Sequence, residues 1–229
     1  SEHTVLRASA GRGSRTVSVI AENLSYLATA RKFMIKEKLE MEQAWNYGVH
    51  LTQYIDLLGK EMSVNAEFYR TDFTNQVIID KEHDIDHIMV YNLDGKSYAN
   101  TYQVEVTYEL IPRMDVTAAF RYNDVKMTIG EELMREPLVN RYKGLFTVSY
   151  ATNLRKWQFD FTTQFNGDAR IPSTEDLPEE YRREENSPAY VILNAQVTKF
   201  YKRWEIYLGG ENLTNYKQHD PIIASDDPF

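Results

Sequence analysis

Between Lys156 and Asn166 the chain reads KWQFDFTTQFN, with Trp157, Phe159, Phe161 and Phe165 at odd positions and Gln158, Asp160, Thr162, Gln164 and Asn166 at even ones. A period of two places the aromatic residues on one face of a β-strand and the polar ones on the other. The pattern recurs along the chain. Tyr102, Val104, Val106, Tyr108 and Leu110 oppose Gln103, Glu105, Thr107 and Glu109, and Val116, Ala118, Phe120 and Tyr122 oppose Asp115, Thr117, Arg121 and Asn123. Phe146, Val148 and Tyr150 alternate with Thr147 and Ser149; Val191, Leu193, Ala195 and Val197 with Ile192, Asn194, Gln196 and Thr198; Trp204, Ile206 and Leu208 with Glu205 and Tyr207. The alternation predicts strands over Thr4–Ala10, Gln43–Leu57, Glu61–Ile79, Met89–Leu110, Met114–Met127, Leu138–Ala151, Lys156–Asp168, Ala189–Phe200 and Arg203–Tyr216. That is an all-β chain, an antiparallel up-and-down meander of about nine long strands.

The connections alternate in length. Short turn signals stand at Leu57–Glu61, Ile111–Asp115, Thr152–Lys156 and Lys199–Arg203, each between two alternating runs. Longer polar stretches lie at Lys81–Ile88, Lys126–Pro137, Ala169–Pro188 and from Gly11 to about Glu40, where the glycines of GRGSR are expected to turn the chain out of a strand. A soluble sandwich has no reason to gather its long loops at one end, whereas an outer-membrane barrel has short periplasmic turns and long external loops. Several strands exceed the about 9 to 11 residues that cross a bilayer, so they should project beyond it on the loop side.

The polar faces test that reading. Glu105, Arg121, Asp160 and Glu205 sit mid-strand, where an unpaired charge in a dry core costs several kcal/mol. They must face water, either outside a soluble sheet or in a hydrated lumen, and periodicity alone admits both. Trp157 and Trp204 each follow a short turn, where an indole anchors at a membrane boundary; capping a soluble core is the alternative role for each. A secreted, soluble β-rich ligand-binding domain therefore stands as the second reading.

Composition narrows the function. Over 229 residues the formal charge is −8, and without clustered Lys and Arg the chain has no nucleic-acid surface. The lack of cysteine excludes disulfides, thiolate metal sites and thiol nucleophiles. Mean hydropathy of −0.53 and the absence of a long apolar run exclude a transmembrane helix but not a barrel, in which only alternate residues meet lipid. With 16 Tyr, 10 Phe and 3 Trp the chain is rich in the residues that suit strands and membrane interfaces. No signal peptide or initiator Met opens the sequence, which reads as a strand already under way and so as a fragment.

The C-terminal stretch WEIYLGGENLTNYKQHDPIIASDDPF, Trp204–Phe229, has at its centre Gly210, Glu211, Asn212, Leu213, Thr214 and Asn215 after an alternating strand. It resembles the penultimate strand and last external loop of TonB-dependent outer-membrane receptors, particularly those of Bacteroidetes. Further likeness lies in Leu6–Leu24, Glu42–Tyr54, Glu67–Asp80, Tyr91–Val106 and Ser187–Asn215, so it covers nearly the whole chain. The resemblance implies roughly strands 13 to 21 of a transmembrane barrel of about 22, with the N-terminal plug domain and the closing strand absent and Phe229 inside the last loop. It further implies a place in the outer membrane of a Gram-negative bacterium, in contact with its lipid, and TonB-energised uptake of a scarce nutrient such as a siderophore, another metal complex or a corrinoid. The TonB complex would act through the missing plug, and binding and gating involve no covalent step and no resident cofactor.

Local motifs carry less. In KEHDIDH, Lys81–His87, the residues His83, Asp84, Asp86 and His87 offer imidazole and carboxylate ligands for a divalent ion in an external loop; a solvated acidic loop accounts for the same residues. EDLPEEYRREE, Glu175–Glu185, is a charge run on a loop, without the rigid scaffold that paired catalytic acids need. Asn212-Leu213-Thr214 fits a glycosylation acceptor, but the receptor motif explains it better. No Ser, His and acid arrangement is identifiable, so an enzyme reading has no support.

Overall fold

The computed structural model describes residues 3–24, 31–84 and 86–219; the tail that includes Phe229 lies outside the described residues. The strands are β1 (Thr4–Arg15), β2 (Lys32–Ile35), β3 (Glu42–Leu57), β4 (Lys60–Asn75), β5 (Val77–Asp80), β6 (His87–Asn92), β7 (Ser97–Ile111) and β8 (Met114–Ile129). They continue with β9 (Glu132–Arg135), β10 (Tyr142–Ala151), β11 (Trp157–Asn166), β12 (Ala169–Arg170), β13 (Asn186–Ser187), β14 (Tyr190–Phe200) and β15 (Glu205–Gly210). One four-residue helix, α1 (Val19–Glu22), follows β1.

Nine of the strands form one antiparallel sheet in chain order, β1-β3-β4-β7-β8-β10-β11-β14-β15, with β9 folded back on β8. This is the expected meander. Its four hairpins fall where the turn signals stand. Between β3 and β4 the two turn residues Leu58 and Gly59 both take positive φ, 53° and 77°, which matches the twist of the flanking strands. Pro112 opens the β7–β8 turn and Arg113 follows at φ 70°, and a short 3₁₀ turn, Asn153–Arg155, joins β10 to β11.

The boundaries differ from expectation mainly at the long-loop end. Gly11 and Gly13 do not turn the chain: β1 stays paired with β3 as far as Arg15↔Glu42, because the partner strand supplies the hydrogen bonds that glycine cannot encode. The run Glu61–Ile79 breaks at Gln76, and Met89–Leu110 breaks between Asn92 and Ser97. The freed pieces β5 and β6 join β2 in a separate three-stranded sheet. Lys126–Pro137 contains the β8–β9 hairpin, β10 begins at Tyr142 rather than Leu138, and β15 ends at Gly210 rather than Tyr216.

Register fixes the two faces of the wall. Direct partners put Leu51, Ala66, Val104, Phe120 and Gly144 on one side, the side that also carries Phe165 and Val191. Phe120, Phe146, Phe159 and Ile206 on this side are 51%, 43%, 44% and 54% exposed; a sandwich would have buried them. All the buried hydrophobic side chains among the described residues, namely Val19, Val77, Ile78, Ile88, Val90, Met127, Ile129 and Ala169, lie at the long-loop end. Among the described residues the apolar side of the wall has no protein core against it.

Across the top of the apolar band runs an aromatic row. Phe68, Tyr102, Tyr122 and Tyr142 stand on adjacent strands, with neighbouring ring centroids 4.8, 6.0 and 5.3 Å apart. From Tyr102 to Leu110 the band measures about 27 Å along the strand at ~3.4 Å per residue. Tilted as barrel strands are, it is about 20 Å tall, near the apolar height of outer-membrane barrels.

Candidate functional site

The opposite parity builds a hydrophilic inner wall. One rung runs through eight strands in direct register, Arg7, His50, Glu67, Gln103, Arg121, Lys143, Asn166 and Tyr190. Nearer the short turns another rung carries Ser63, Thr107, Thr117, Thr147, Thr162 and Asn194, and Thr107 and Thr117 share a hydroxyl hydrogen bond of 3.1 Å. Arg121 and Asp160, two of the charged residues that sequence placed mid-strand, find partners here. Asp160 accepts from the Ser149 hydroxyl at 2.6 Å and from Gln158 Nε2 at 2.8 Å, and Arg121 Nε donates to Gln103 Oε1 at 2.8 Å. Leu145 and Ile192 are apolar interruptions on this side. Hydroxyls, amides and scattered charges make this a face that water can solvate.

Above the wall the small sheet β2-β6-β5 forms a cap, and residue parity shows where it sits. Met127 and Ile129 have the inner-wall parity of β8, and Ile78, 1% exposed, packs against both. The cap therefore rests on the inner side of the wall, over the mouth. Its other face, with Phe33, Val77 and Val90, buries Val19 of α1 and packs on Leu39.

Polar contacts tie the cap to neighbouring loops. Asp80, 2% exposed, accepts from the backbone N–H groups of Glu82 and His83, from His83 Nδ1 at 2.8 Å and from the Tyr91 hydroxyl at 3.2 Å. Burial, with a smaller push from Asp80, raises the Tyr91 phenol above its ordinary pKa, although the Gly130 N–H hydrogen bond opposes the shift. Glu82 forms a fork with Arg170, two hydrogen bonds of 2.7 Å, although 88 residues separate them. Both side chains are under 10% exposed. Burial pushes the Glu82 carboxyl upward, but the hydrogen bonds from Arg170 and the Ser173 N–H outweigh it and hold the pKa below the usual carboxylate value. Arg170 also donates from Nε to the Arg135 carbonyl at 2.8 Å, so three loops meet at one guanidinium. Farther along the same rim, burial raises the pKa of Glu136.

The residues singled out from sequence fall into this frame. His83 and His87 do not converge: each imidazole turns back to an aspartate three residues earlier, His83 to Asp80 and His87 Nδ1 to Asp84 at 3.1 Å. Asp86 donates its N–H to Asp84 Oδ1, and among the described residues no three His, Asp or Glu side chains gather as ligands. Glu175–Glu185 is a largely exposed loop containing the 3₁₀ turn Glu179–Tyr181.

The Gly210–Asn215 motif is a strand-end device. Asn212, at φ 49°, donates its N–H to Asn194 Oδ1, accepts at Oδ1 from the Tyr216 N–H and donates from Nδ2 to the Tyr216 carbonyl. The Leu213 N–H and the Thr214 hydroxyl reach the Leu193 and Val191 carbonyls, which keeps the departing chain against β14. Asn suits the position because its amide imitates a peptide and tolerates positive φ. Glu211, exposed, follows Gly210 at the bend.

At the opposite rim Trp157 is 39% and Trp204 55% exposed. Trp204 stacks on Tyr201 at 3.9 Å, and the Lys199 ammonium lies over the Trp157 ring at 4.6 Å. Sequence reasoning missed the Asp80 hub and the Glu82–Arg170 fork. The only signal for Asp80 was an acid closing the apolar run Val77–Ile79, and nothing in the sequence joins Glu82 to Arg170.

Comparison with known proteins places this geometry. Residues 1–213 match the family model described as "TonB dependent receptor-like, beta-barrel". No curated protein matches the chain. Among solved structures, the copper transporter OprC superposes with a TM-score of 0.67 at 13% identity, covering 92% of this chain and 31% of its own. The ferric-catecholate import receptor Fiu from E. coli K12 gives 0.64 at 15%, covering 94% and 29%, and the siderophore receptor PiuA from Acinetobacter baumannii gives 0.61 at 14%, covering 94% and 30%. The chain thus spans about a third of the length of each, and at such identities the likeness establishes the fold. An outward apolar band, a hydrated inner wall and short turns at one rim agree with the family match, and this chain belongs to the TonB-dependent receptor-like β-barrel family, a family of outer-membrane transport receptors.

Proposed function

We propose that the protein containing this segment is an outer-membrane receptor for TonB-energised uptake of a scarce nutrient, a small-molecule metal complex such as a siderophore, or a corrinoid. The observation that carries the reading is the two-faced wall: apolar toward lipid, hydroxyl- and amide-rich toward the interior, with a folded cap at the mouth. A plain diffusion pore does not need a structured cap on its inner rim, whereas a receptor that must select its cargo does. Solved relatives in fold that transport copper and import ferric catecholates support this class of cargo by analogy of fold.

In this reading a plug domain elsewhere in the protein fills the lumen and passes the pull of the TonB complex to it. Trp157 and Trp204 mark the periplasmic boundary of the bilayer, and Gly210–Asn215 ends β15 at the opposite, external rim. The work done is selective binding and gating, without bond-making chemistry. Growth of the source bacterium on single iron, copper or corrinoid sources, with and without the complete gene and with and without TonB, tests it. Loss of growth on one source in both deletions is expected; equal growth of both deletions on every source refutes it.

A further inference from the structure

Two short turns stand side by side at the rim opposite the cap. β10 passes into β11 through Asn153–Arg155 and β14 into β15 through residues 201–204. The Phe200 N–H donates to the Lys156 carbonyl at 2.9 Å and so ties one turn to the other. Just above them Trp157, Lys199 and Ile206 are direct cross-strand partners, with the outward parity of Phe159 and Val197. From Phe165 to Trp157 the strand runs ~27 Å, which is about 20 Å of height at the tilt of barrel strands. In a membrane-inserted wall the Trp157 level is therefore the far boundary of the apolar band, among the inner-leaflet headgroups.

Positive charge collects at this corner. In the segments 155–157 and 199–205 five bases, Arg155, Lys156, Lys199, Lys202 and Arg203, stand against one acid, Glu205, in a chain whose formal charge is −8. Glu205 is the partner of Phe200 and has inner-wall parity, so it does not face the lipid side. The other two short turns, Leu57–Glu61 and Ile111–Asp115, carry one base and one acid each. Lys199 is the base that strand register turns outward. Its ammonium lies 4.6 Å from the Trp157 ring centroid and 5.2 Å from that of Tyr201, which in turn stacks on Trp204 at 3.9 Å. All three rings are exposed. Ring faces orient an ammonium but leave its charge uncancelled, and among the described residues Lys199 has no carboxylate partner. Lys60, at the same rim, does have one, Glu109 at 3.3 Å.

We propose that this corner binds the headgroup of an anionic glycerophospholipid in the inner leaflet of the outer membrane. From between its two rings the Lys199 ammonium donates a charge-assisted hydrogen bond to a phosphodiester oxygen. The indole N–H groups of Trp157 and Trp204 and the Tyr201 hydroxyl supply further donors to phosphate and ester oxygens. Lys202 and Arg203, exposed at the turn tip, add attraction from the water side, which favours a lipid of net negative charge over a zwitterion. The acyl chains then extend past Ile206 and Val197 onto the apolar face. The proposal rests on the membrane placement of the wall and is independent of what the receptor imports.

The test uses the complete receptor in micelles, with phosphatidylglycerol and phosphatidylcholine of the same acyl chains compared by native mass spectrometry. Phosphatidylglycerol should be retained in excess, and Lys199→Gln should reduce that excess about fivefold, the effect of one basic residue at an anionic surface. Lys199→Arg should keep the excess, and Lys60→Gln, which removes an ammonium already paired with Glu109, should leave it unchanged. Equal retention of the two lipids, or unchanged retention in Lys199→Gln, overturns the proposal. An equal loss in Lys60→Gln overturns it as well, since the effect is then one of overall charge, and so does displacement by millimolar glycerol phosphate, which makes the site one for a soluble anion. Failure of the receptor to insert into liposomes would instead refute the membrane reading itself.

Discussion

Replacing Glu82 by leucine removes one half of the fork that joins the cap to the β11–β14 loop. Arg170 is then left at 8% exposure without its two 2.7 Å hydrogen bonds, and the Ser173 N–H loses its acceptor at 3.0 Å. Stranding one partner of a buried pair costs about 3–5 kcal/mol, which raises local opening of the cap by a factor on the order of 100 to 1000 or more. Hydrogen exchange of the complete receptor in micelles, read on peptides around Asp80–Asp84 and Ala169–Ser173, measures that opening. The stave Trp157–Asn166 serves as the internal control. Exchange should quicken in the cap alone, and the double replacement Glu82→Leu with Arg170→Met should restore most of the protection, because an apolar pair of similar size is tolerated where a lone charge is not. Unchanged cap exchange in the single variant, or equal acceleration in the stave, would show that the fork does not hold the cap. Acid supplies an independent probe. Because the folded-state pKa of Glu82 lies below its ordinary 4.5, its contribution is complete above that value and fades as pH falls through the lower folded-state value. Cap protection should therefore hold from neutral pH to about 4.5 and decline only in stronger acid.

Three further outcomes are expected. Phe161→Arg, mid-band on the lipid side, should destabilise folding into liposomes by about 2–4 kcal/mol, while its neighbour Thr162→Arg on the inner wall should be nearly neutral; equal effects would contradict the assignment of faces. Gly48→Ala places a Cβ 2.2 Å from Tyr69 Cε1, so the ring must leave the inner wall, and the melting midpoint in detergent should fall by an amount equivalent to about 1–3 kcal/mol; Tyr69→Ala in the same chain should relieve the clash. Asn212→Ala should quicken exchange in β15 and the Leu213–Tyr216 segment, whereas an unchanged rate would remove the asparagine from its role in ending the strand.

Much of the wall was legible from alternation alone. Phe159 and Asp160 face opposite ways because side-chain parity is a local property, and Gly59 marks a turn because glycine accepts positive φ, although Leu58 is held there against its own preference. The top of the molecule was not legible in that way. β1 stays in the sheet through Gly11 and Gly13 because β3 offers partners there, and β5 and β6 leave the long strands because Ile78 gains more by burial on Met127 and Ile129 than by continuing a ladder. Such gains depend on residues far apart in sequence, as does the fork between Glu82 and Arg170. The paired histidines show the same limit: the sequence places four possible ligands together, and the turn geometry directs His83 to Asp80 and His87 to Asp84.

The irregularities of the large sheet are few and peripheral. Among the described residues register shifts in it occur only at Gln43/Ala44, near the long-loop end of β3, and at Glu109/Ile111, beside a short turn. Over the intervening stretches one added residue would exchange every lipid-facing side chain for a water-facing one from that point onward. Evolution can therefore lengthen these staves only two residues at a time, while loops at the mouth accept any number. Relatives should diverge in length almost wholly above the aromatic row, so novelty in what the receptor recognises accumulates without disturbing how its wall meets the membrane.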